Sequence, residues 1–159
     1  MDDAFIVNKI KDGIVIDHVT TGKGIIIPKI LGIDSKSGKT IAILINAPSG
    51  KMGKKDMLKI EGKTLHETEA NIVALVSPGA TINVIKDYKI IEKRKAQLPS
   101  VITGIIRCAN VSCITNAEKM PASFRLVSES PAALRCDYCD TVVSDLGKSE
   151  GLYSGVARL

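Results

Sequence analysis

Tryptophan is absent from this 159-residue chain, which has two phenylalanines and three tyrosines. So few rings offer little for bases to stack on, which weighs against a reader of single-stranded nucleic acid. Histidine is nearly as scarce. Neither His18 nor His66 stands beside a carboxylate pair at motif spacing, and no nucleophile elbow occurs, so no catalytic constellation emerges. Gly38-Lys39-Thr40 ends like a phosphate-binding loop, but Ile33 stands where the earlier glycine is required. A strand pattern also follows where a helix would have to offer its N-terminus to phosphate. No apolar run reaches the roughly 18 residues of a membrane span, and the Met1-Asp2-Asp3 opening is not a basic leader. A soluble, cytoplasmic protein without membrane contact is the expectation.

Cysteine is also sparse, but its placement is informative. All four lie in the C-terminal part, as Cys108-x4-Cys113 and Cys136-x2-Cys139, with 22 residues between the pairs. A short two-cysteine knuckle sets two thiolates on one side of a tight turn. Two facing knuckles give the tetrahedral four-sulfur cage of a closed structural zinc site, with one Zn2+ per chain and no open position for catalysis. Two disulfides, a redox pair or a rubredoxin-like iron are the competing readings. Residues 98–159 number 62 and contain Phe124, Tyr138 and Tyr153 as their aromatic residues. So thin a core needs a staple, and metal binding should supply roughly 10–16 kcal/mol of its folding free energy.

Charge is distributed unevenly. Residues 1–97 carry 16 Lys+Arg against 11 Asp+Glu, whereas residues 98–159 carry 6 of each, so the net +5 belongs to the N-terminal part. A basic surface of that kind suits a polyanion, whether nucleic acid or a phosphorylated metabolite.

Along the chain, Phe5–Ile10 and Ile14–Val19 read as strands around a Lys11-Asp12-Gly13 turn. A helix is expected from about Gly24, with Pro28 in or near its first turn. A polar loop spans Asp34–Lys39, a strand Thr40–Ala47, a loop Pro48–Gly53 and a half-buried strand Lys55–Glu61. Thr64-Leu65-His66-Glu67 has the form of a capping box opening a helix that buries Leu65, Ile72, Leu75 and Val76 and stops at Pro78-Gly79. Thr81–Lys86 and Tyr88–Glu92 follow as strands. The predicted fold class is α+β: a ferredoxin-like antiparallel sheet with two helices and an added N-terminal strand, then a small all-β zinc-ribbon (rubredoxin-like) domain. The charged, proline-interrupted Lys93–Ser100 stretch marks the boundary between domains 1–97 and 98–159. Zinc-domain strands are expected near Ile102–Arg107, Ser123–Val127, Ala133–Arg135 and Thr141–Val143, and the tail from Gly147 is expected to be mobile.

Several strings together resemble one family. They are Gly13-Ile14-Val15-Ile16-Asp17-His18, Pro48-Ser49-Gly50-Lys51-Met52-Gly53-Lys54-Lys55-Asp56, Leu58-Lys59-Ile60-Glu61, Ala80-Thr81-Ile82-Asn83, Leu98-Pro99 and the four-cysteine pattern. The sequence resembles the regulatory chain of aspartate carbamoyltransferase over about residues 5–145. The resemblance implies a non-catalytic allosteric subunit in pyrimidine synthesis, binding nucleoside triphosphates of the CTP, ATP and UTP class. It further implies regulatory-chain homodimers that join catalytic-chain trimers. Carried over position by position, Asp17 accepts from ribose hydroxyls and Lys59 donates beside the sugar. Lys93, His18 and the Asn83 amide face the triphosphate. The backbone of Ile10 and Tyr88 reads the base, while Val7, Val15, Ile85 and Ile90 wall it. Lys55 is a possible second nucleotide contact, and Asn110, Tyr138 and Asp140 fall at catalytic-chain interface positions. The sequence departs from the family's pattern at Asn8, Lys51, Ser112 and Asp140. The alternative reading is a zinc-ribbon nucleic-acid-binding protein, encouraged by a pI near 9.0. A neutral ribbon poor in rings argues against it. A rubredoxin-like electron carrier sits poorly with so large an N-terminal part.

Overall fold

The computed structural model describes residues 7–144 and 146. Two antiparallel sheets organise it. The first has five strands, which by chain position lie 2-3-1-4-5 across the sheet, and the second has four in chain order. The first sheet is built from β1 (Gly13–Val19), β2 (Ile41–Ser49), β3 (Gly53–Glu61), β4 (Thr81–Lys86) and β5 (Lys89–Lys95). Helix α1 (Ile26–Ile30) follows β1, and α2 (Glu67–Val76) follows β3. The first four strands in the order 2-3-1-4 give the ferredoxin-like arrangement.

The extra strand is C-terminal β5, not an N-terminal one. Among the described residues no strand precedes Gly13; residues 7–10 form no ladder, and Phe5 and Ile6 lie outside the described residues. The reason is topological. A hairpin partner for β1 must lie beside it, and both flanks of β1 are taken by β3 and β4. Gly13 opens β1 at φ 147°, where a Cβ would collide with the Ile60 carbonyl.

Alternation then divides the sheet. Ile14, Ile16, Leu58, Ile60 and Ile82 are buried and join Ile27, Ile72, Val73, Leu75 and Val76 of the helices in the core. Helix α1 is short because Gly32, at φ 69°, closes it: Ile33 N–H donates to Pro28 O (2.8 Å) and Gly32 N–H to Lys29 O (3.1 Å). Pro28 sits in the first turn, where a missing N–H costs nothing.

The capping box does not form. Helix α2 starts at Glu67 with exposed His66 at its N-cap and no side-chain cap bond. Glu67 and Glu69 supply negative charge to the helix start instead, and Lys63 Nζ holds Glu69 Oε2 at 2.7 Å. The expected Pro48–Gly53 loop is also shorter. Pro48 and Ser49 belong to β2, an edge strand that can accommodate a proline.

In the second sheet, β6 (Val101–Thr103), β7 (Ser123–Glu129), β8 (Ala132–Cys136) and β9 (Val142–Val143) bury Ile102, Phe124, Leu134, Cys136 and Val143. The expected strand to Arg107 stops at Thr103 because Gly104 turns the chain at φ 72°. One helical turn, α3 (Ile114–Ala117), accompanies these strands. Lys93–Lys95, read as boundary, lie within β5, and the chain crosses to the second sheet over residues 96–100. The tail expectation falls on residues outside those described.

Asp56, fully buried on β3, fastens the first sheet's periphery. Its carboxylate accepts from the N–H groups of Gly22 (2.9 Å), Gly24 (3.0 Å) and Asn46 (3.1 Å). It thereby ties the β1–α1 loop to the bulge in β2. Removing the acceptor orphans three backbone donors, each worth about 1–3 kcal/mol when left unsatisfied. Asp56→Ala is therefore expected to lower stability by about 3–4 kcal/mol in urea unfolding at fixed metal concentration. A loss below about 1 kcal/mol would show that water replaces the carboxylate.

Candidate functional site

Two places gather the chemistry. The first is the face of the five-stranded sheet opposite the helices. Strand register aligns Lys59 with Val15, Val15 with Asn83, and Asn83 with Lys93 in one row across β3, β1, β4 and β5. The adjoining row places Asp17 beside Thr81 and Thr81 beside Lys95. A bulge between Val84 and Ile85 offsets β5, so Ile90 (opposite Ile85) and Lys93, three residues apart, share this face. Lys55 lies on it too, two pleats from Lys59. Lys55, Lys59, Lys93 and Lys95 face Asp17 there, a basic surface about three strand spacings (~14 Å) wide.

Asp17 is already engaged. Its Oδ1 is 2.8 Å from Lys55 Nζ and accepts from His18 N–H at 2.6 Å. Burial pushes the Asp17 carboxyl up, but the Lys55 hydrogen bond, the His18 N–H and the charges of Lys55 and His18 outweigh it and hold it below its ordinary value. His18, at φ 55° in the β1 bulge, points Nδ1 at Thr81 Oγ1 (3.1 Å). Thr81 is a contact that sequence reasoning missed. Its position two residues before Asn83 on the same strand was the available signal.

Asn83 is buried. Its amide nitrogen donates to Val15 O at 3.4 Å while Oδ1 has no partner. An orphaned buried acceptor on a cationic face has unspent capacity for a hydroxyl or N–H donor. Lys59 Nζ reaches Asn8 O at 3.4 Å, bringing the 7–12 segment to the same edge, where Val7 and Ile10 are half-buried. Tyr88, exposed in a turn at φ 64°, gives its N–H to Lys11 O (2.9 Å). That bond occupies the Tyr88 N–H within the protein.

The second place is the cysteine cluster. The four Sγ atoms lie within 4.8 Å of one another, with Cys108–Cys139 at 3.5 Å and Cys113–Cys136 at 3.9 Å. A tetrahedral cation with metal–sulfur bonds near 2.3 Å would space its sulfurs about 3.8 Å apart, so the residues present fit one. Local hydrogen bonds shape both knuckles. Asn110 Oδ1 accepts from Ser112 N–H (3.0 Å) and Asn110 O from Cys113 N–H (3.0 Å). Asn116 Nδ2 donates to the carbonyls of Cys108 (3.0 Å) and Asn110 (2.7 Å). In the second knuckle Asp140, at φ 61°, donates its N–H to Cys136 O (3.0 Å). Asn116 and Asp140 are the kind of supporting groups that orient metal ligands.

Burial pushes the Cys108 thiol up to about 12 and raises Cys136 as well. The Thr141 hydroxyl, 3.2 Å from Cys139 Sγ, brings that thiol down to about 6. Four thiolates packed this closely repel one another unless a cation neutralises them. Of the residues expected at an interface, Tyr138 and Asp140 are exposed and Asn110 is half-buried with its carbonyl and side-chain oxygen used within the knuckle.

Comparison with known proteins covers both sheets. A family model described as aspartate carbamoyltransferase regulatory chain, allosteric domain, matches residues 5–97. Another, described as the metal binding domain of that chain, matches residues 100–146. Among curated relatives, the aspartate carbamoyltransferase regulatory chain of Pyrococcus horikoshii is 45% identical over 140 residues, spanning 87% of this chain and 92% of the relative. That of Hyperthermus butylicus is 43% identical over 152 residues, 94% and 95% of the two chains. That of Thermofilum pendens is 43% identical over 147 residues, 91% and 92%.

Because the ligands must be thiolates, binding a cation here releases protons, and lowering the pH weakens the metal. Chelation, acid or Cys113→Ser is expected to unfold the second sheet while the first keeps its backbone amide signals, as two-dimensional NMR would record. Retention of native signals for Phe124 and Leu134 after complete metal removal would contradict this.

Proposed function

The chain belongs to the aspartate carbamoyltransferase regulatory chain family, and from that membership we propose a division of labour between its two sheets. The family's chains are regulatory, not catalytic. In this reading residues 1–97 form the effector domain and residues 98–159 a zinc domain that docks on the catalytic chain. The cation is Zn2+, one per chain. Four cysteines close its shell, so its role is structural.

The observation that carries the effector assignment is the Lys59–Val15–Asn83–Lys93 row on the sheet's uncovered face. Nucleoside triphosphates of the CTP, ATP and UTP class supply what that face lacks: anionic charge for its lysines and donors for Asn83 Oδ1. Asp17 takes ribose hydroxyls, Lys59 binds beside the sugar, and Lys93 with His18 meets the phosphates. Ile10 and the Tyr88 carbonyl read the base between Val7, Val15, Ile85 and Ile90. Lys55, paired with Asp17, exchanges that partner for a second nucleotide. Asn110, Tyr138 and Asp140 lie at the catalytic-chain contact. The complex is cytoplasmic, with regulatory homodimers joining catalytic trimers and no nucleic acid partner.

Regulation then requires that a nucleotide bind two global states of the complex differently, typically by about 1–3 kcal/mol. The defining experiment mixes this chain with its catalytic partner and records aspartate saturation with and without each nucleoside triphosphate. A lysine–phosphate contact is charge-assisted, so Lys93→Ala is expected to weaken triphosphates about ten- to a hundredfold and nucleosides much less. Lys59→Ala is expected to weaken both. Calorimetry showing unchanged triphosphate affinity in both variants would refute the assignment.

A further inference from the structure

The face beneath the lysine row holds a separate cleft. Strand residues alternate, so Arg94, which pairs with Ile82, lies on the helix side of β5 while its neighbour Lys93 lies on the open side. Between α2 and the end of β5 is a cleft of about 250 Å³. Ala70, Ile82 and Ala96 give it an apolar floor, and Glu67, Asn71, Arg94 and Gln97 a polar rim. Its volume falls below the roughly 300–1,000 Å³ typical of pockets for drug-sized ligands and suits a smaller molecule.

The charges on the rim are only loosely satisfied. Arg94 Nη1 stands 3.4 Å from Glu67 Oε2, and Nε stands 3.8 Å from Glu92 Oε1, both longer than a good charge-assisted hydrogen bond. Arg94 Nε is shielded from solvent and makes no hydrogen bond. A guanidinium with a buried, unused donor is suited to a carboxylate held by two parallel bonds. Beside Arg94 on the rim, the Glu67 carboxylate would repel a simple anion and attract an ammonium group. Lys95 also borders the cleft, but its register with Thr81 places it with the open face.

We infer that this cleft binds the zwitterion of a small free amino acid, with its carboxylate on Arg94 and its ammonium toward Glu67. The short side chain lies against Ala70, Ile82 and Ala96, and the Asn71 and Gln97 amides supply the remaining polar contacts. The site is independent of the nucleotide assignment, being on the other side of the sheet.

The full metal-loaded chain serves for the test, with L-alanine as probe and with propionate and ethylamine as its two halves. L-alanine is expected to move the Asn71 and Gln97 side-chain amide signals saturably, and each half to bind at least about tenfold more weakly. Arg94→Gln is expected to weaken L-alanine by about tenfold or more, with Arg94→Lys between it and the parent chain. Glu67→Gln, at an exposed helix start, should remove the preference for L-alanine over propionate with only a small fall in the thermal midpoint from the lost charge at the start of α2. No saturable shift at either amide, equal binding of propionate and L-alanine by the parent chain, or undiminished binding by Arg94→Gln would each overturn the inference.

Discussion

Strand β1 is hydrogen-bonded on both flanks, and the rest of the first sheet depends on that. With β3 on one side and β4 on the other, its alternate residues are committed to opposite faces. Ile14 and Ile16 enter the core beneath α1 and α2. Val15 and Asp17 are thereby turned to the face that no helix covers, in register with Lys59, Asn83 and Thr81. A slip of one residue would bury Asp17 and expose Ile16, so the hydrophobic core enforces the geometry of the cationic face. Two bulges finish the arrangement. One turns His18 toward Thr81, and the other brings Ile90 and Lys93 onto the same face.

The second sheet is held by a different constraint. Its buried apolar residues are few, and its densest point is four sulfurs whose mutual repulsion a cation must offset. Hydrogen bonds from Asn116 and within the Asn110 and Asp140 turns preset the knuckles. Val111 and Ile114 around the first knuckle, and Tyr138 in the second, are exposed large side chains. Stability of this sheet and attachment to a catalytic chain would then be linked through one ion, which fits a regulatory chain that performs no chemistry itself.

What the sequence made legible follows from the range of the interactions involved. Cysteine spacing is local, so the metal cluster was readable from Cys108 to Cys139 before any fold was known. Alternation in Lys55–Glu61 is likewise local and matches β3. Strand adjacency is not. Nothing in Phe5–Ile10 reveals that both flanks of β1 are occupied, and nothing in Val84–Ile85 announces the bulge that aligns β5. The capping box failed for a different reason: Thr64 and Glu67 have the right spacing, but Lys63 holds Glu69 and the helix begins later. The cleft at Arg94 arises from packing of α2 against β5, and no motif signals it. The proposed effector positions rest on family resemblance, whereas Thr81 as the partner of His18 comes from the fold.

Asn83 offers the most direct measurement, because its side-chain amide is buried in the centre of the proposed effector face and its oxygen lacks a partner. The nitrogen-15 spectrum of the metal-loaded chain would be followed while ATP or CTP is added. If the uncovered face binds nucleoside triphosphates, the Asn83 side-chain amide shifts saturably, together with the Lys59 and Lys93 ammonium signals. Saturable binding that leaves Asn83 in place and moves instead the loop lysines Lys36 and Lys51 would contradict it.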